Sequence, residues 1–190
     1  MNEEEEETEG SVLSRSTREV HLTPIDGSSH SQVRVKRGFM LTISSGLPRW
    51  EVNQYIDRAR IASLAQSRDP RIVFVGTSSL CVQGVPLWSA NHDITFWCPQ
   101  PYPNSTLPSV RYSGFTIPPV KVRKLRRPPL TDHRLTENGV QVEDKLDAAL
   151  RLAMGSQHFE AFVAMCMTLH TESNFSLQRI GDSRKRENNL

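Results

Sequence analysis

Apolar and basic residues alternate from residue 32 to 43: Val33, Val35, Phe39 and Leu41 are interleaved with Arg34, Lys36 and Arg37. A period of two is the mark of a strand with one buried face, so Gln32 to Ile43 is predicted as a strand or ribbon, with Gly38 as a bulge or turn. Gly46 and Pro48 punctuate the chain. Beyond them Trp50, Val52, Tyr55, Ile56, Ala59, Ala62 and Ala65 recur at helical spacing. The resulting amphipathic helix should stop at Asp69-Pro70, because the residue before proline is pushed out of the helical region. Ile72 to Val75 is an unbroken β-branched and aromatic run, the pattern of a strand buried on both faces. Thr77 or Ser78 is then placed to cap a short helix that Gly84 closes.

Asp93 to Cys98 reads as a further strand, and Pro99 to Pro108 as a loop too dense in proline for regular structure. Strands are expected at Val110 to Thr116 and Val120 to Leu125, where Val110, Val120 and Val122 alternate with Arg111, Lys121 and Arg123 to give one apolar and one cationic face. Asn138-Gly139 marks a turn, and Val140 and Val142 a last strand. Two helices follow, Glu143 to Met154 and Gln157 to His170, the second behind Ser156 as N-cap. Their apolar stripes are read as Leu146, Ala149, Leu150 and Ala153, and as Phe159, Phe162, Val163, Cys166 and Leu169. The order of elements gives an α+β fold: a small mixed or antiparallel sheet with Ile72 to Val75 as its central strand and the two terminal helices packed on it.

The pattern stops at both ends. Residues 1–31 are acidic, then rich in Ser and Thr, without apolar periodicity, and are expected to be a disordered tail. Residues 171–190 are polar and basic and are expected to fray, leaving 32–170 as the folded domain. A hydrophobic content of 37% over 190 residues, with a mean hydropathy of -0.46, agrees with a chain that is part core and part tail.

The net charge of +2 conceals a segregation of sign, acidic at Glu3 to Glu7 and basic in the middle. Acidic residues directly after Met1 are the opposite of a secretion signal, and no apolar run approaches the length of a membrane span. A cytoplasmic protein without membrane insertion is expected. The three cysteines, Cys81, Cys98 and Cys166, are odd in number and far apart, which fits neither a disulfide framework nor a zinc knuckle; they read as buried small residues.

Chemistry-bearing patterns are few. Glu143-Asp144-Lys145 after a strand, with Asp132 upstream, has the residue types of a metal-dependent nuclease, in which carboxylates hold a divalent ion and a lysine stabilises developing charge. The same carboxylates suit the start of a helix, where they complement the exposed amides. Cys166 and His170 stand one turn apart without a third orienting group. No phosphate-cradling glycine loop or nucleophile elbow occurs, and nothing calls for a cofactor or a metal. Two basic segments remain, Arg34, Lys36 and Arg37 on the first ribbon, and Lys121, Arg123, Lys124, Arg126 and Arg127 on a later strand and its exit, each suited to phosphate contacts or to a solvated sheet face.

The order of these motifs resembles the AbiEi-like family of bacterial type IV toxin-antitoxin antitoxins and abortive-infection transcriptional regulators. The residues that carry the likeness are Arg34-Val35-Lys36-Arg37-Gly38-Phe39, the run Val73-Phe74-Val75-Gly76-Thr77-Ser78-Ser79-Leu80-Cys81-Val82-Gln83-Gly84-Val85-Pro86-Leu87-Trp88, and Gly139-Val140-Gln141-Val142 before two alanine-rich helices. The resemblance implies that the basic ribbon at 32–43 is wing-like, as in a winged helix, and that the partner is DNA or a toxin protein. The chain departs from the family pattern at Gln83, often His, and at Ala148 and Arg151, usually Thr and Asp. Polar sequence stands where recognition helices should precede the ribbon, and the chain stops near where an endonuclease-like domain would begin. The expected function is therefore a non-catalytic binding protein of antitoxin or regulator type, with an accessory module or remnant of a metal-dependent endonuclease, through Asp132, Glu143 and Lys145, as the alternative.

Overall fold

The structure, a computed structural model, describes residues 13–14, 19–21, 30–67, 71–131, 134–135, 139–155 and 158–171. Short strands Leu13–Ser14 (β1) and Glu19–His21 (β2) precede the hairpin His30–Lys36 (β3) and Phe39–Ser44 (β4). Helix α1 is Arg49–Ser67, followed by β5 (Val73–Phe74), α2 (Thr77–Val82) and β6 (Ile94–Trp97). Next come β7 (Ser105–Leu107), β8 (Val110–Tyr112), β9 (Phe115–Ile117) and β10 (Val120–Lys124). The last elements are β11 (Arg134–Leu135), β12 (Gln141–Val142), α3 (Lys145–Ala153) and α4 (His158–Thr171).

The main sheet is mixed, in the order β11-β12-β5-β6-β10-β7. The strand expected at its centre is there: β5 lies between β12 and β6, and Ile72, Val73, Phe74 and Val75 are all buried. A second sheet is built on the β3–β4 hairpin, whose turn Gly38 makes at a φ of 77°, a conformation that costs glycine nothing and other residues strain. β2 pairs parallel to β4 with Val20 opposite Leu41. The tail expected over 1–31 lies largely outside the described residues, but β1, β2 and the first residues of β3 within it are strands. The C-terminal tail beyond Thr171, Asp69-Pro70, Asn138 and Ser156 also lie outside the described residues.

Pro48 starts α1, its carbonyl accepting from the N–H groups of Glu51 and Val52. This one helix serves two cores. Val52, Ile56 and Ala59 pack with Val35, Phe39 and Leu41 of the first hairpin and with Val110, Tyr112 and Ile117 of β8 and β9. Further along, Ile61 and Leu64 join Phe74, Phe96, Leu107 and Val122 of the main sheet. Trp50, read as part of the apolar stripe, is 62% exposed.

Arg60 sits between the two cores with no exposed surface. Its Nη2 donates to the carbonyls of Pro108 at 2.8 Å and Pro118 at 3.0 Å, and its Nη1 donates to Asn91 Oδ1 at 3.2 Å. Asp57, one turn earlier, lies 3.8 Å from Nη1. Pro108 separates β7 from β8 and Pro118 separates β9 from β10, so one guanidinium holds the chain at both points where the β8–β9 hairpin leaves the main sheet.

Four local expectations are corrected. The proline-rich stretch contains an edge strand, β7, since Ser105 to Leu107 is free of proline and Leu107 is buried opposite Val120; an edge tolerates prolines nearby because half its backbone groups need no partner. Val110 to Thr116 is not one strand but most of a hairpin, turned at Ser113 and Gly114 with φ of 42° and 84°. α2 is preceded by Gly76, not capped by Thr77 or Ser78, which are buried inside it. Its end is the expected glycine stop: Val85 N–H returns to the Leu80 carbonyl and Gly84 N–H to that of Cys81, the Schellman arrangement.

The fourth correction concerns the faces of the terminal helices. α3 buries Ala148 and Ala149, and α4 buries Glu160, Ala161, Ala164 and Thr168, while Leu146, Leu150, Met154, Phe159, Phe162 and Cys166 point outward. Ala148, Ala149 and Ala164 meet Leu80 of α2 and Val85 just beyond its end. Small side chains let three helices approach closely, and that decides the rotation over the bulk of the larger residues.

Because Phe74 is fully buried between two strands and against Phe96, Phe74→Ala should lower stability by about 3–5 kcal/mol. A loss below about 1 kcal/mol in a denaturant titration would place the core elsewhere.

Candidate functional site

A groove of about 670 Å³ runs between the first hairpin and the segment linking β7 to β8. Arg34, Lys36 and Arg37 line one wall, and Thr106, Pro108 and Arg111 the other. Arg34, Arg37 and Arg111 are exposed. The alternation that buries Val33 and Val35 turns Arg34 outward, and the alternation that buries Val110 and Tyr112 does the same for Arg111. Lys36 is held lower, its Nζ 5.2 Å from the centre of the Phe39 ring and 3.4 Å from the Ser63 carbonyl. Among the described residues lining this groove there is no carboxylate, so its field is of one sign.

The second basic segment is divided by the structure. β10 buries Val120 and Val122 and exposes Lys121 and Arg123, as the alternation required. Arg123 is spoken for, its Nη2 2.8 Å from Asp93 Oδ2, and Asp93 Oδ1 accepts the Lys121 backbone N–H. Lys124 Nζ donates to the Gln100 carbonyl. Arg126 and Arg127 are exposed in the bend after β10. Lys121 pairs in register with Thr106, and directly opposed residues share a face of the sheet. Since Thr106 lines the groove, Lys121 stands beside it and joins the two basic segments.

Arg111 does not share a strand face with Lys121 and Arg123, as its place in the alternation had implied. The Ser113-Gly114 turn puts it on a separate hairpin, opposite Arg34 and Arg37. That dipeptide was the available signal, since glycine after serine between two apolar runs marks a tight turn.

Of the nuclease-type residues, Glu143 and Lys145 lie among the described residues, and Glu143 is committed to structural partners. Glu143 has no exposed surface. Its Oε1 and Oε2 each accept from Arg151 Nε at 3.0 Å, and Oε2 also accepts from the Gly76 N–H at 3.1 Å. Its carbonyl accepts from Ser79 Oγ at 2.6 Å and Gln83 Nε2 at 2.8 Å. Glu143 therefore ties β12 to α2 and α3, with Arg151 and Gln83 as its side-chain partners. Asp144 caps α3 by accepting from the Leu146 N–H, Lys145 begins that helix, and Asp132 lies outside the described residues. Among the described residues no group of three or more His, Cys, Asp or Glu is placed to hold a metal ion.

The cysteines are free, Cys98 buried and Cys166 exposed rather than in the core. Burial pushes the Cys81 thiol up to about 12, which leaves it protonated and unreactive at neutral pH.

Comparison with protein-family models, curated proteins and solved structures finds no match to this chain.

Removing one partner of a buried ion pair strands the other charge, so Arg151→Ala should cost about 3–5 kcal/mol. The Glu143→Ala, Arg151→Ala double variant should lose less than the sum of the single losses. Additive losses in denaturant titrations would mean that the two side chains do not act as a pair.

Proposed function

We propose that this chain is a non-catalytic binding protein that holds the phosphate backbone of DNA in the groove between β3 and β8. The observation that carries the reading is the convergence of Arg34, Arg37 and Arg111 from two hairpins on one concavity, with Lys36 at its floor and no carboxylate among its described lining. Guanidinium groups present donors in the planar fork that phosphate oxygens accept. Lys121, beside the groove, and the exposed Arg126 and Arg127 extend the cationic surface. Such contacts set position and affinity without reading sequence.

The resemblance to AbiEi-like antitoxins and regulators supports the same class, because it places the basic ribbon in the role of a wing. An acidic protein such as a toxin would be drawn to the same surface by complementary charge. DNA is the reading favoured here because the cations line a groove rather than a flat patch.

If the groove binds duplex DNA, replacing Arg34, Arg37 and Arg111 with Ala removes three phosphate contacts, and the slope of log affinity against log salt should fall by about 2.7 units. Affinity should weaken for every sequence tested. Equal slopes for wild type and variant would remove the groove from DNA binding. Weak DNA binding with slowed association to an acidic protein would instead assign the surface to a protein partner.

A further inference from the structure

Residues 1–12 hold six glutamates, Glu3 to Glu7 and Glu9, and no lysine or arginine. They lie outside the described residues, but the strand they lead into, β1, belongs to the sheet that carries one wall of the basic groove. That sheet has the order β1-β2-β4-β3, and β3 supplies Arg34 and Lys36 to the groove.

The register fixes where the acidic segment joins. Leu13 is opposite Val20, Val20 opposite Leu41 and Leu41 opposite Val33, so a single row crosses the sheet from β1 to the groove wall. β1 is antiparallel to β2, β2 parallel to β4 and β4 antiparallel to β3. Residues before Leu13 therefore leave the sheet at the end where β3 holds Gln32, itself a groove residue. Strand spacing decides whether they can reach. Three spacings put Leu13 about 14 Å from Val33, whereas the six steps of chain from Glu7 to Leu13 extend to about 20 Å. The tether is longer than the gap. The five consecutive glutamates before it cover about 17 Å more when extended.

Charge selects this groove over the rest of the basic surface. Arg123 is paired with Asp93, and Lys124 Nζ donates to the Gln100 carbonyl. Arg34, Arg37 and Arg111 instead converge on a concavity with no carboxylate among its described lining, and Lys121 stands beside it. Like charges held together repel until a counter-charge arrives. A tethered counter-charge acts at an effective concentration of about millimolar, so the chain's own carboxylates precede any dilute ligand. Their charge is sparser than that of nucleic acid, one per roughly 3.3 Å of extended chain against one per about 1.7 Å of duplex, so a duplex can displace them.

We propose that Glu3 to Glu7 occupy the groove between β3 and β8 when nucleic acid is absent, as an intramolecular stand-in for the phosphate backbone, and that a ligand enters by displacing them. This rests on the reading of the groove as an anion site. The displacement sets a threshold: short or sparsely charged anions lose to the tethered carboxylates, and a dense polyanion wins.

The test compares the full chain with a full-length variant carrying Glu3→Gln, Glu4→Gln, Glu5→Gln, Glu6→Gln and Glu7→Gln together, which removes the charge at constant length. Carbodiimide coupling of the monomer at low salt, followed by peptide mass mapping, should join Glu3 to Glu7 to Lys36 or Lys121 in preference to Lys145, which follows β12 towards the other edge of the main sheet. Calorimetric titration with inorganic tripolyphosphate should show the Gln variant binding about ten-fold more tightly than wild type at low salt. The difference should close near 1 M salt, where the screening length is about 3 Å. Absence of the preferred cross-links, or tripolyphosphate binding that is equal or undetectable in both chains, overturns the proposal. Duplex DNA titrated in parallel separates the two readings. Equal duplex affinity of both chains without the cross-links leaves DNA binding standing and removes the acidic segment from the groove. Cross-links and a tripolyphosphate difference, with no duplex bound by either chain, keep the segment in the groove and remove DNA as its competitor.

Discussion

A guanidinium with no exposed surface stands where three segments of chain meet. Arg60 donates to Asn91 Oδ1 and to the carbonyls of Pro108 and Pro118, with Asp57 3.8 Å away. Burial lowers the Arg60 pKa and raises that of Asp57, each offset in part by the other's charge and, for Asp57, by the Asn91 N–H. A charge taken out of water this completely needs partners for its donors; the buried Nε has none, while both Nη groups are used. Here they set the geometry of the β8–β9 hairpin. Pro108 and Pro118 lie in the connections between strands, which leaves their carbonyls available to a side chain. The proposed DNA groove inherits its outer wall from this arrangement, since Pro108 and Arg111 lie on the segment that Arg60 fixes.

The other buried charges follow the same logic at other seams. Glu143 joins β12, α2 and α3 through Arg151 and the Gly76 N–H, and Glu160 joins α4 to the loop at Trp88 and Ser89. Each carboxylate satisfies backbone donors that a short, irregular segment cannot pair with a strand or helix. Hydrophobic burial supplies most of the driving force, while these polar ties select one arrangement of short strands whose pairing registers span only a few residues. No helix among the described residues is long and apolar enough to cross a membrane.

Elements with long, clean periodicity were legible in the sequence: α1, the β3–β4 ribbon, the buried β5 and the alternating β10. All depend on a solvent-facing and a core-facing side that residue type alone reports. The misses share a cause, which is that context outweighed hydrophobicity. Leu146, Leu150, Phe159 and Phe162 outrank alanine on any apolar scale, yet close packing against α2 selects Ala148, Ala149 and Ala164. The burial of Arg60 and Glu143 has little local signal, because Asn91, Pro108 and Pro118 lie 31 to 58 positions from Arg60 and Gly76 lies 67 from Glu143. One wall of the groove was visible as the run Arg34, Lys36 and Arg37, but Arg111 became their partner only through a turn at Ser113-Gly114. Trp50, counted with the apolar stripe, stands two positions from Val52 and six from Ile56, intervals that turn it away from the buried face of a 3.6-residue helix, and it is exposed.

The central claim is that Arg60 holds the β8–β9 hairpin in place, and native-state hydrogen exchange on Arg60→Met tests it most directly. Methionine fills much of the same volume without donors, leaving the Pro108 and Pro118 carbonyls unpaired, each at a cost of about 1–3 kcal/mol. Amides of β8 and β9 should then exchange at least about ten-fold faster, while those of β5 and β6 change only by the global loss of stability. Unchanged protection in β8 and β9, or a loss shared equally by every strand, would contradict the account.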